Sequence, residues 1–150
     1  MLYRLNVTIM GLEGVYRTIE VSGDCTFDQL HWAIFKCFDR YDPHLYSFFL
    51  TGKDTDSLRT IYNAPEITHP DAVDGFLGMD GGKDSAADRM LDSAGLREGM
   101  VLHYWFDFGD DWWHRIRVES AEEADVRKHL KIVESVGESP PQYPDAEGEW

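Results

Sequence analysis

The stretch around which this chain is organised is Tyr104-Trp105-Phe106-Asp107-Phe108-Gly109-Asp110-Asp111-Trp112-Trp113-His114-Arg115-Ile116-Arg117-Val118-Glu119. Apolar and aromatic residues flank a short segment of glycine and aspartate, the residue types that supply the positive φ angles of hairpin turns. The stretch therefore predicts two antiparallel strands and a tight turn. Three aspartates beside one turn repel one another, so water, backbone amides, His114 or a metal ion must offset their charge.

Two registers of this hairpin are open. If the loop is Gly109–Asp111, the apolar positions of both strands share one face, and Trp105 pairs with Arg115 on the other. That face then carries Leu102, Tyr104, Phe106, Phe108, Trp112, His114, Ile116 and Val118. If the loop has an even number of residues, Asp107 moves onto the face of His114, within side-chain reach. The first register gives the better apolar face, and only the second makes Asp107 and His114 a natural pair.

The same stretch resembles the signature Y-x-Y-D-F-G-D-x-W-x-H-x-I-x-V-E of the plasmid pRiA4b ORF-3-like family, also labelled as a passenger protein of a mycobacterial insertion element. Gly137-Glu138-Ser139-Pro140-Pro141 is similar to that family's later G-x-x-P-P element. After Pro141 the sequence departs from the family, many members of which continue through an acidic, glycine-rich segment into a further helix. The resemblance implies a soluble α+β domain of unassigned biochemical role.

Composition limits the classes of function. The chain has 150 residues, 43% hydrophobic and 13% aromatic, which is enough for one domain with a real core. Its net charge of −14 repels phosphate backbones and anionic lipid headgroups. We therefore expect a protein partner, with no direct nucleic-acid or membrane binding. A local basic strip is the alternative left open, and it would consist of Arg115, Arg117, Arg127 and Lys128.

Cysteines and targeting segments give further expectations. Cys25 and Cys37 have no close partner at zinc spacing, and Cys37 falls on the apolar stripe of a predicted helix, so we expect a buried thiol there. The N-terminus begins directly with strand alternation and lacks a charged leader followed by an apolar run. No segment approaches the ~20 apolar residues of a membrane span. The expected location is the cytoplasm.

The first half of the chain has clear periodicity. Residues 3–9 alternate apolar and polar side chains, as do residues 15–21, so the pair predicts a hairpin with a turn at Gly11–Gly14. Thr26 to Gln29 form a capping-box pattern that opens a helix, and Asp42-Pro43 is expected to end it. The apolar stripe of this helix, which we expect to cover the sheet, consists of Phe27, Leu30, Ala33, Ile34, Cys37 and Phe38.

Periodicity then fades. Leu45–Leu50 predicts a third strand, after which residues 53–95 form a long loop excursion that we interpret as a lid or binding loop. Within it we expect short pieces around Ile61-Tyr62 and Phe76-Leu77, a loop at residues 80–84 and a helical turn at residues 88–91. Residues 96–99 predict a tight turn that leads into the central hairpin.

Together these elements predict an α+β fold with a mixed or antiparallel sheet and one main covering helix. The β-grasp-like order is hairpin, helix, strand, long excursion and central hairpin. After Glu119 the local pattern at residues 120–123 allows a helix to about Val136, whereas the family resemblance suggests a strand near Leu130–Ser135, and we choose the strand. We expect a single domain at residues 1–139 and an acidic, proline-containing, disordered tail at residues 140–150.

The first functional hypothesis is a binding or interaction module in which the hairpin motif is structural. Asp107 and Asp110 would cap the turn through backbone amides, and one of them would bond His114. The tryptophans would provide packing or an exposed recognition patch. The motif and interaction residues on this hypothesis are Trp105, Phe108, Gly109, Trp112, Trp113 and Glu119.

Two alternatives remain, and the sequence does not decide whether the protein is an enzyme. One is a divalent metal site, with hydrolase activity as one option, in which Glu119 or an acid from the excursion completes the ligand set. The other ligands would be Asp107, Asp110, Asp111 and His114. The other alternative is an accessory protein associated with mobile DNA elements, which the family's label implies.

Overall fold

The computed structural model describes residues 1–73 and 84–143, and the strands in this part form one eight-stranded sheet. Its strands are β1 Leu2–Ile9, β2 Tyr16–Ser22, β3 Tyr46–Phe49, β4 Glu66–Thr68, β5 Asp84–Ser85, β6 Val101–Phe106, β7 Trp112–Glu122 and β8 Leu130–Val136. The helices are α1 Phe27–Cys37 and α2 Leu58–Tyr62, with 3-10 turns at Pro70–Ala72 and Leu91–Ala94. None of the helices in these residues has the length and apolar character to cross a membrane.

The predicted α+β class is confirmed, with a sheet that dominates the fold. The strand order is β5-β4-β3-β6-β7-β1-β2-β8, and every neighbouring pair is antiparallel except β4–β5. The β-grasp-like detail of the prediction is not confirmed by this arrangement. The hairpin of β6 and β7 lies at the centre of the order, where β3 and β1 flank it. The central motif is therefore hydrogen-bonded on both sides.

The first hairpin and its covering helix follow the sequence pattern. β1 pairs with β2 along its length, and Thr26 forms the predicted capping box with Gln29. One face of α1 packs on the sheet because its apolar residues recur at helical spacing. The largest fully buried side chains of the resulting core are Tyr46, Tyr104, Phe27, Phe38, Phe48, Phe49, Phe106, Leu5, Ile19, Leu30, Ile34 and Ile61.

The predicted end of α1 at Asp42-Pro43 is wrong, since the helix ends at Cys37. Phe38 caps it, and Asp39 adopts a positive φ of 56°. A left-handed residue directly after a helix stops its hydrogen-bond ladder, and aspartate tolerates that conformation better than most residues. The chain then turns so that the Arg40 amide donates to the Phe35 carbonyl at 3.0 Å. This early stop brings Arg40 against the core.

The described part of the excursion is more structured than the sequence predicts. β4 extends the sheet beyond β3, and β5 pairs with β4 in parallel. The predicted piece at Ile61-Tyr62 is the end of α2, where Ile61 is fully buried. The helical turn expected at residues 88–91 lies slightly later, as the 3-10 turn Leu91–Ala94. The pieces expected at Phe76-Leu77 and in the loop at residues 80–83 lie outside the described residues.

The chain after Glu119 forms the predicted strand. β7 continues to Glu122 because it pairs with β1, with Leu2 opposite Glu122. β8 then pairs with β2 and becomes one edge of the sheet. The helix that the local pattern allowed is therefore wrong, since pairing with two long strands outweighs a single capping box.

The segment that begins at Pro140 differs from the predicted disordered tail as far as Tyr143. The Gln142 side chain is buried, and its Oε1 accepts from the amides of Tyr41 at 2.9 Å and Asp42 at 3.1 Å. Its Nε2 donates to the Asp42 carbonyl at 2.8 Å. The amide side chain thus replaces the backbone partners that residues 41–42 lack, and it fixes the segment on the domain. Residues 144–150 lie outside the described part of the chain.

Candidate functional site

The register of the central hairpin differs from both predicted registers and keeps the faces of the first at the paired positions. The prediction that Phe108 lies on the inner face is wrong, because Phe108 belongs to the loop and stacks on Trp105 of the outer face. Trp105 pairs with Trp113, Tyr104 with His114 and Phe106 with Trp112. The connecting loop is residues 107–111, longer than Gly109–Asp111 but still odd in length. Since side chains alternate with a period of two, any odd loop keeps the same faces. The even-numbered loop and the direct pairing of Trp105 with Arg115 are both wrong.

Asp107 caps the turn. Its Oδ1 accepts from the amides of Gly109 at 3.2 Å and Asp110 at 3.3 Å, and its carbonyl accepts from the Asp111 amide at 2.7 Å. The positive φ angles belong to Asp107 at 64° and Asp111 at 57°, whereas Gly109 is not in that region. The capping role predicted for Asp107 is therefore present. The capping role predicted for the Asp110 side chain is not seen among the contacts of the described residues. Asp110 contributes its backbone amide, which donates to Asp107.

The face of the hairpin that points away from α1 carries stacked aromatic rings. The rings of Trp105 and Trp113 are 5.1 Å apart with an angle of 3° between their planes, and Phe108 stacks on Trp105 at 4.2 Å. Tyr62 of α2 packs edge-on against both tryptophans and remains 47% exposed. The Trp105 indole donates to Asp111 Oδ1 at 2.8 Å. We call Tyr62, Trp105, Phe108 and Trp113 the outer aromatic cluster.

The opposite face holds His114 in a closed environment. His114 is fully buried, and its Nδ1 lies 3.3 Å from the Tyr104 carbonyl, which can only accept. Nδ1 therefore carries the proton, and Nε2 accepts from Arg40 Nη2 at 2.9 Å. Burial lowers the pKa of His114 well below its ordinary value, and the Arg40 charge lowers it further. The prediction that an aspartate bonds His114 is wrong, because an arginine holds it.

Arg40 is the centre of this inner site. Its guanidinium lies over the rings of Phe38, Phe106 and Trp112 at 5.3, 5.1 and 5.1 Å. The residue is 7% exposed, and its Nη1 has no hydrogen-bond partner in residues 1–73 and 84–143. Burial lowers the pKa of its guanidinium. A cation held by rings and one neutral imidazole is compensated only in part.

A second buried histidine continues the polar chain into the core. His31 Nδ1 lies 2.6 Å from the Tyr104 hydroxyl, and its ring stacks on Tyr46 at 3.8 Å. The Tyr46 hydroxyl donates to Asp28 Oδ1 at 2.5 Å. Burial lowers the pKa of His31 to about 3, with smaller contributions from the charges of His69 and Arg40. His31 and His114 are therefore neutral near pH 7.

Four polar residues meet at the turn end of the hairpin. His44 Nε2 lies 2.6 Å from the Tyr143 hydroxyl, which donates to Asp42 Oδ2 at 2.6 Å. The same nitrogen is 3.4 Å from Asp107 Oδ2, close enough for an ion pair but outside hydrogen-bond geometry. Asp107 Oδ2 is buried, and His44 is the polar side chain that lies nearest to it among the described contacts. The segment after Pro140 and the central turn are joined here.

The residues predicted as metal ligands point in different directions. Asp107 faces the turn amides and His44, Asp111 accepts from Trp105, and His114 faces Arg40. Within the described ranges 1–73 and 84–143, no group of three or more histidine, cysteine, aspartate or glutamate side chains is arranged to hold a metal ion. The arrangement gives the metal hypothesis no support, and it stays a prediction.

Several other predicted residues lie away from this site. Glu119 forms an ion pair with Arg4 at 3.4 Å on β1. Of the suggested basic strip, Arg115 is paired with Asp54 and Asp56, and Arg117 with Asp54. The strip's Lys128 donates from its side chain to the Asp24 carbonyl. Cys25 is buried and Cys37 half-buried, both as free thiols, and burial raises the pKa of Cys37 to about 12.

Sequence reasoning missed Arg40, His44 and Tyr62 as members of these sites. Arg40 lies two residues beyond the apolar stripe of α1, and nothing local marks the left-handed turn at Asp39 that carries it inward. His44 sits beside Pro43 in what the pattern marks only as a helix end. Tyr62 belongs to a short piece that the sequence predicts within the excursion, and an aromatic residue next to the apolar Ile61 is the sequence signal for it.

Comparison with known proteins adds the family and the fold. The family model described as "Plasmid pRiA4b ORF-3-like protein" matches residues 1–150, the whole chain. The chain is also similar to a crystal structure of a protein of unknown function from Methanosarcina mazei Go1, with 23% sequence identity and a TM-score of 0.70. That match covers 94% of this chain and 72% of the other, and it bears on the fold alone. No curated protein matches the chain.

Proposed function

The chain belongs to the plasmid pRiA4b ORF-3-like protein family, and from that premise we propose that it is a protein-binding module whose contact surface is the outer aromatic cluster. The module is one domain that comprises residues 1–139, with a β-grasp-like order of its first elements, and the segment that follows packs on it through Gln142 and Tyr143. Since the similar crystal structure is of a protein of unknown function, the proposal depends on the site itself.

The observation that carries the proposal is the parallel stack of Trp105 and Trp113 on the face that α1 does not cover. Their planes differ by 3°, and Phe108 extends the stack to the tip of the hairpin. A rigid aromatic surface offers a large contact area at a small cost in side-chain entropy, which is why tryptophan and tyrosine are enriched in binding surfaces. Tyr62 is half-exposed, so this end of the aromatic surface is accessible to solvent.

The charges around the cluster favour a cationic partner segment. The negative charges of Asp111 and Glu66 contribute to the raised pKa of Tyr62, after burial as the first cause. The neighbouring Arg115 is neutralised by Asp54 and Asp56. Arginine and lysine side chains stack favourably on tryptophan faces, and the net charge of −14 attracts them over a longer range. We therefore propose an arginine- or lysine-containing segment of another protein as the partner.

The experiment titrates the purified chain into two fluorescent peptides, one alternating glycine with arginine and one alternating glycine with glutamate, at low and at physiological salt. We expect the arginine peptide alone to bind, and Trp105→Ala to weaken that binding about three- to tenfold, the loss expected for one cation–π contact. The matched control is Trp32→Ala, which removes a 44% exposed tryptophan on α1.

Neither substitution changes the net charge, so a difference between them measures the aromatic contact and not long-range attraction. Equal affinity of the two variants would refute the proposed surface, provided that thermal melts show both variants folded. Binding of the glutamate peptide with similar affinity would refute the cationic partner and leave the surface in place.

A further inference from the structure

A groove lies between α1 and the edge strand β8, on the face of the sheet that α1 covers. Its volume is about 510 Å³, and it is lined by Gln29, Trp32, Ala33, Phe35, Lys36 and Leu130. Since β8 ends the strand order, no further strand of the described residues closes the groove on that side. Pockets that hold small molecules measure roughly 300–1,000 Å³. The groove therefore has room for one or two large side chains of a partner.

The wall of the groove is apolar and exposes a tryptophan. Trp32 is 44% exposed, more than any other tryptophan in the described residues, although its ring packs edge-on against Phe35 with 5.2 Å between the centroids. Ala33 and Phe35 are buried, and Leu130 is half-buried. An exposed ring beside such a wall is stabilised when another apolar side chain removes it from water. The wall therefore favours an apolar side chain of about the size of leucine as its occupant.

The charge at one end of the groove is positive, in contrast to the net charge of −14 of the chain. Lys36 is exposed and forms no ion pair within residues 1–73 and 84–143. Arg17 is buried nearby, and its guanidinium donates to three backbone carbonyls, among them that of Cys37, and to the Ser139 hydroxyl. Because neither cation has a carboxylate partner in the described residues, this end of α1 attracts negative charge.

We propose that the groove is a second docking surface, which binds a segment of another protein that carries a large apolar side chain beside a glutamate or an aspartate. The apolar side chain covers Trp32 and Leu130, and the carboxylate pairs with Lys36. The outer aromatic cluster lies on the opposite side of the sheet and is proposed to bind a cationic segment. Either surface can therefore fail its test while the other proposal stands.

The test follows the indole N–H signal of Trp32 by NMR during titration with two short peptides. One peptide carries leucine between two glutamates, and the other carries alanine in place of the leucine. The variant Trp32→Phe identifies the signal. We expect a saturable shift with the leucine peptide, which should bind about tenfold more tightly than the alanine peptide because it buries the larger side chain. The absence of a saturable shift, or equal affinity for the two peptides, would overturn the proposal.

A matched pair of charge reversals tests the role of Lys36. Lys36→Glu and Lys53→Glu change the net charge equally, and both lysines are exposed, so thermal melts should show both variants folded. We expect Lys36→Glu to weaken binding of the leucine peptide about five- to tenfold, and Lys53→Glu to weaken it less than about twofold. Lys36→Glu should also gain affinity for a peptide with leucine between two lysines. Equal losses in the two variants would show that the carboxylate does not pair at the groove, which contradicts the proposal.

Two other occupants of the groove are distinguished by the same signal. A second copy of the chain would make the Trp32 signal move on dilution without any peptide. The chain's own residues 144–150, which include three acids and Trp150, would compete with the peptide, so Trp150→Ala would bind the leucine peptide severalfold more tightly than the natural chain. Either result would overturn a partner protein as the occupant. Trp105→Ala leaves the groove intact and should bind the leucine peptide with unchanged affinity.

Discussion

The two faces of the β6–β7 hairpin come from alternate residues of the same two strands, yet they are stabilised in different ways. On the inner face, Tyr104, Phe106 and His114 have no exposed surface, and their polar atoms contact other buried groups. On the outer face, Trp105 and Trp113 stack on each other and keep part of their surface exposed. The inner face is closed by buried contacts, whereas the outer face leaves part of its aromatic surface exposed.

The difference between the two faces shows that alternate residues of one hairpin can form a buried polar cluster on one side and a partly exposed aromatic cluster on the other. A buried polar group must keep every hydrogen bond, because the low dielectric of the core makes an unpaired one costly. A half-exposed ring can exchange neighbours with little loss, since water or another ring replaces each contact. Changes of the same kind should therefore have large effects on the inner face and small effects on the outer one.

The largest contrast is expected from two matched phenylalanines. Phe106→Ala removes a fully buried ring, and the free energy of unfolding should fall by about 3–5 kcal/mol. Phe108→Ala removes a ring that stacks on Trp105 at the tip, and the fall should be about 1 kcal/mol. Urea unfolding of the two variants measures both values. Similar losses would mean that the outer cluster is as important for folding as the core.

The second contrast is in pH dependence. His31 and His114 are held neutral in the folded state, with the pKa of His31 lowered to about 3. In the unfolded chain their imidazoles titrate near 6.5, so below that pH the unfolded state binds protons that the folded state cannot. Stability is therefore full above about pH 6.5 and falls below it, by up to about 1.4 kcal/mol per pH unit for each imidazole, and the contribution of His31 is lost by about pH 3.

His31→Gln gives the control for this pH effect, because glutamine can still bond the Tyr104 hydroxyl but does not titrate. We expect melts from pH 7 to about 4 to fall less steeply for the variant than for the natural chain. The groups that His31 faces, Tyr104, Tyr46, His69 and Arg40, are the same in both proteins. Parallel curves would mean that His31 is protonated in the folded state.

The sequence predicts well which residues of a strand share a face, and it predicts poorly which residues distant in the chain come into contact. The faces of the central hairpin were predictable because alternation fixes which residues share a side, whether the loop has three residues or five. The capping box of α1 was predictable because Thr26 and Gln29 interact within one turn. Both depend on neighbours in the chain.

The partner of His114 was not predictable for the opposite reason. Asp107 lies on the same hairpin, and the pattern made it the natural candidate, but Arg40 is distant in sequence and reaches His114 only because Asp39 ends α1 early. The same holds for Tyr62, which joins Trp105 and Trp113 from another element. The composition of a cluster assembled from three elements depends on tertiary packing, which one sequence does not display.

The smallest contrast concerns the turn that joins the two faces. Asp107→Ala removes the acceptor for the amides of Gly109 and Asp110 and forces alanine into a φ of 64°. We expect the free energy of unfolding to fall by about 1–3 kcal/mol. Asp107→Asn is the matched control, because asparagine tolerates this φ and its Oδ1 still accepts both amides, so it should lose less than half as much.

The Asp107 comparison also separates the structural role of the turn from a metal site. If the turn is held by amides, the difference between Asp107→Ala and Asp107→Asn is the same in a chelator and in added divalent ions. The two variants are both uncharged and differ only in the acceptor oxygen and in their tolerance of the positive φ. If a divalent ion binds there, both substitutions weaken it, and chelation of the natural chain should lower its melting temperature toward theirs. Equal destabilisation by Asp107→Asn and Asp107→Ala in chelator would mean that the negative charge beside His44, and not the capping oxygen, stabilises the turn.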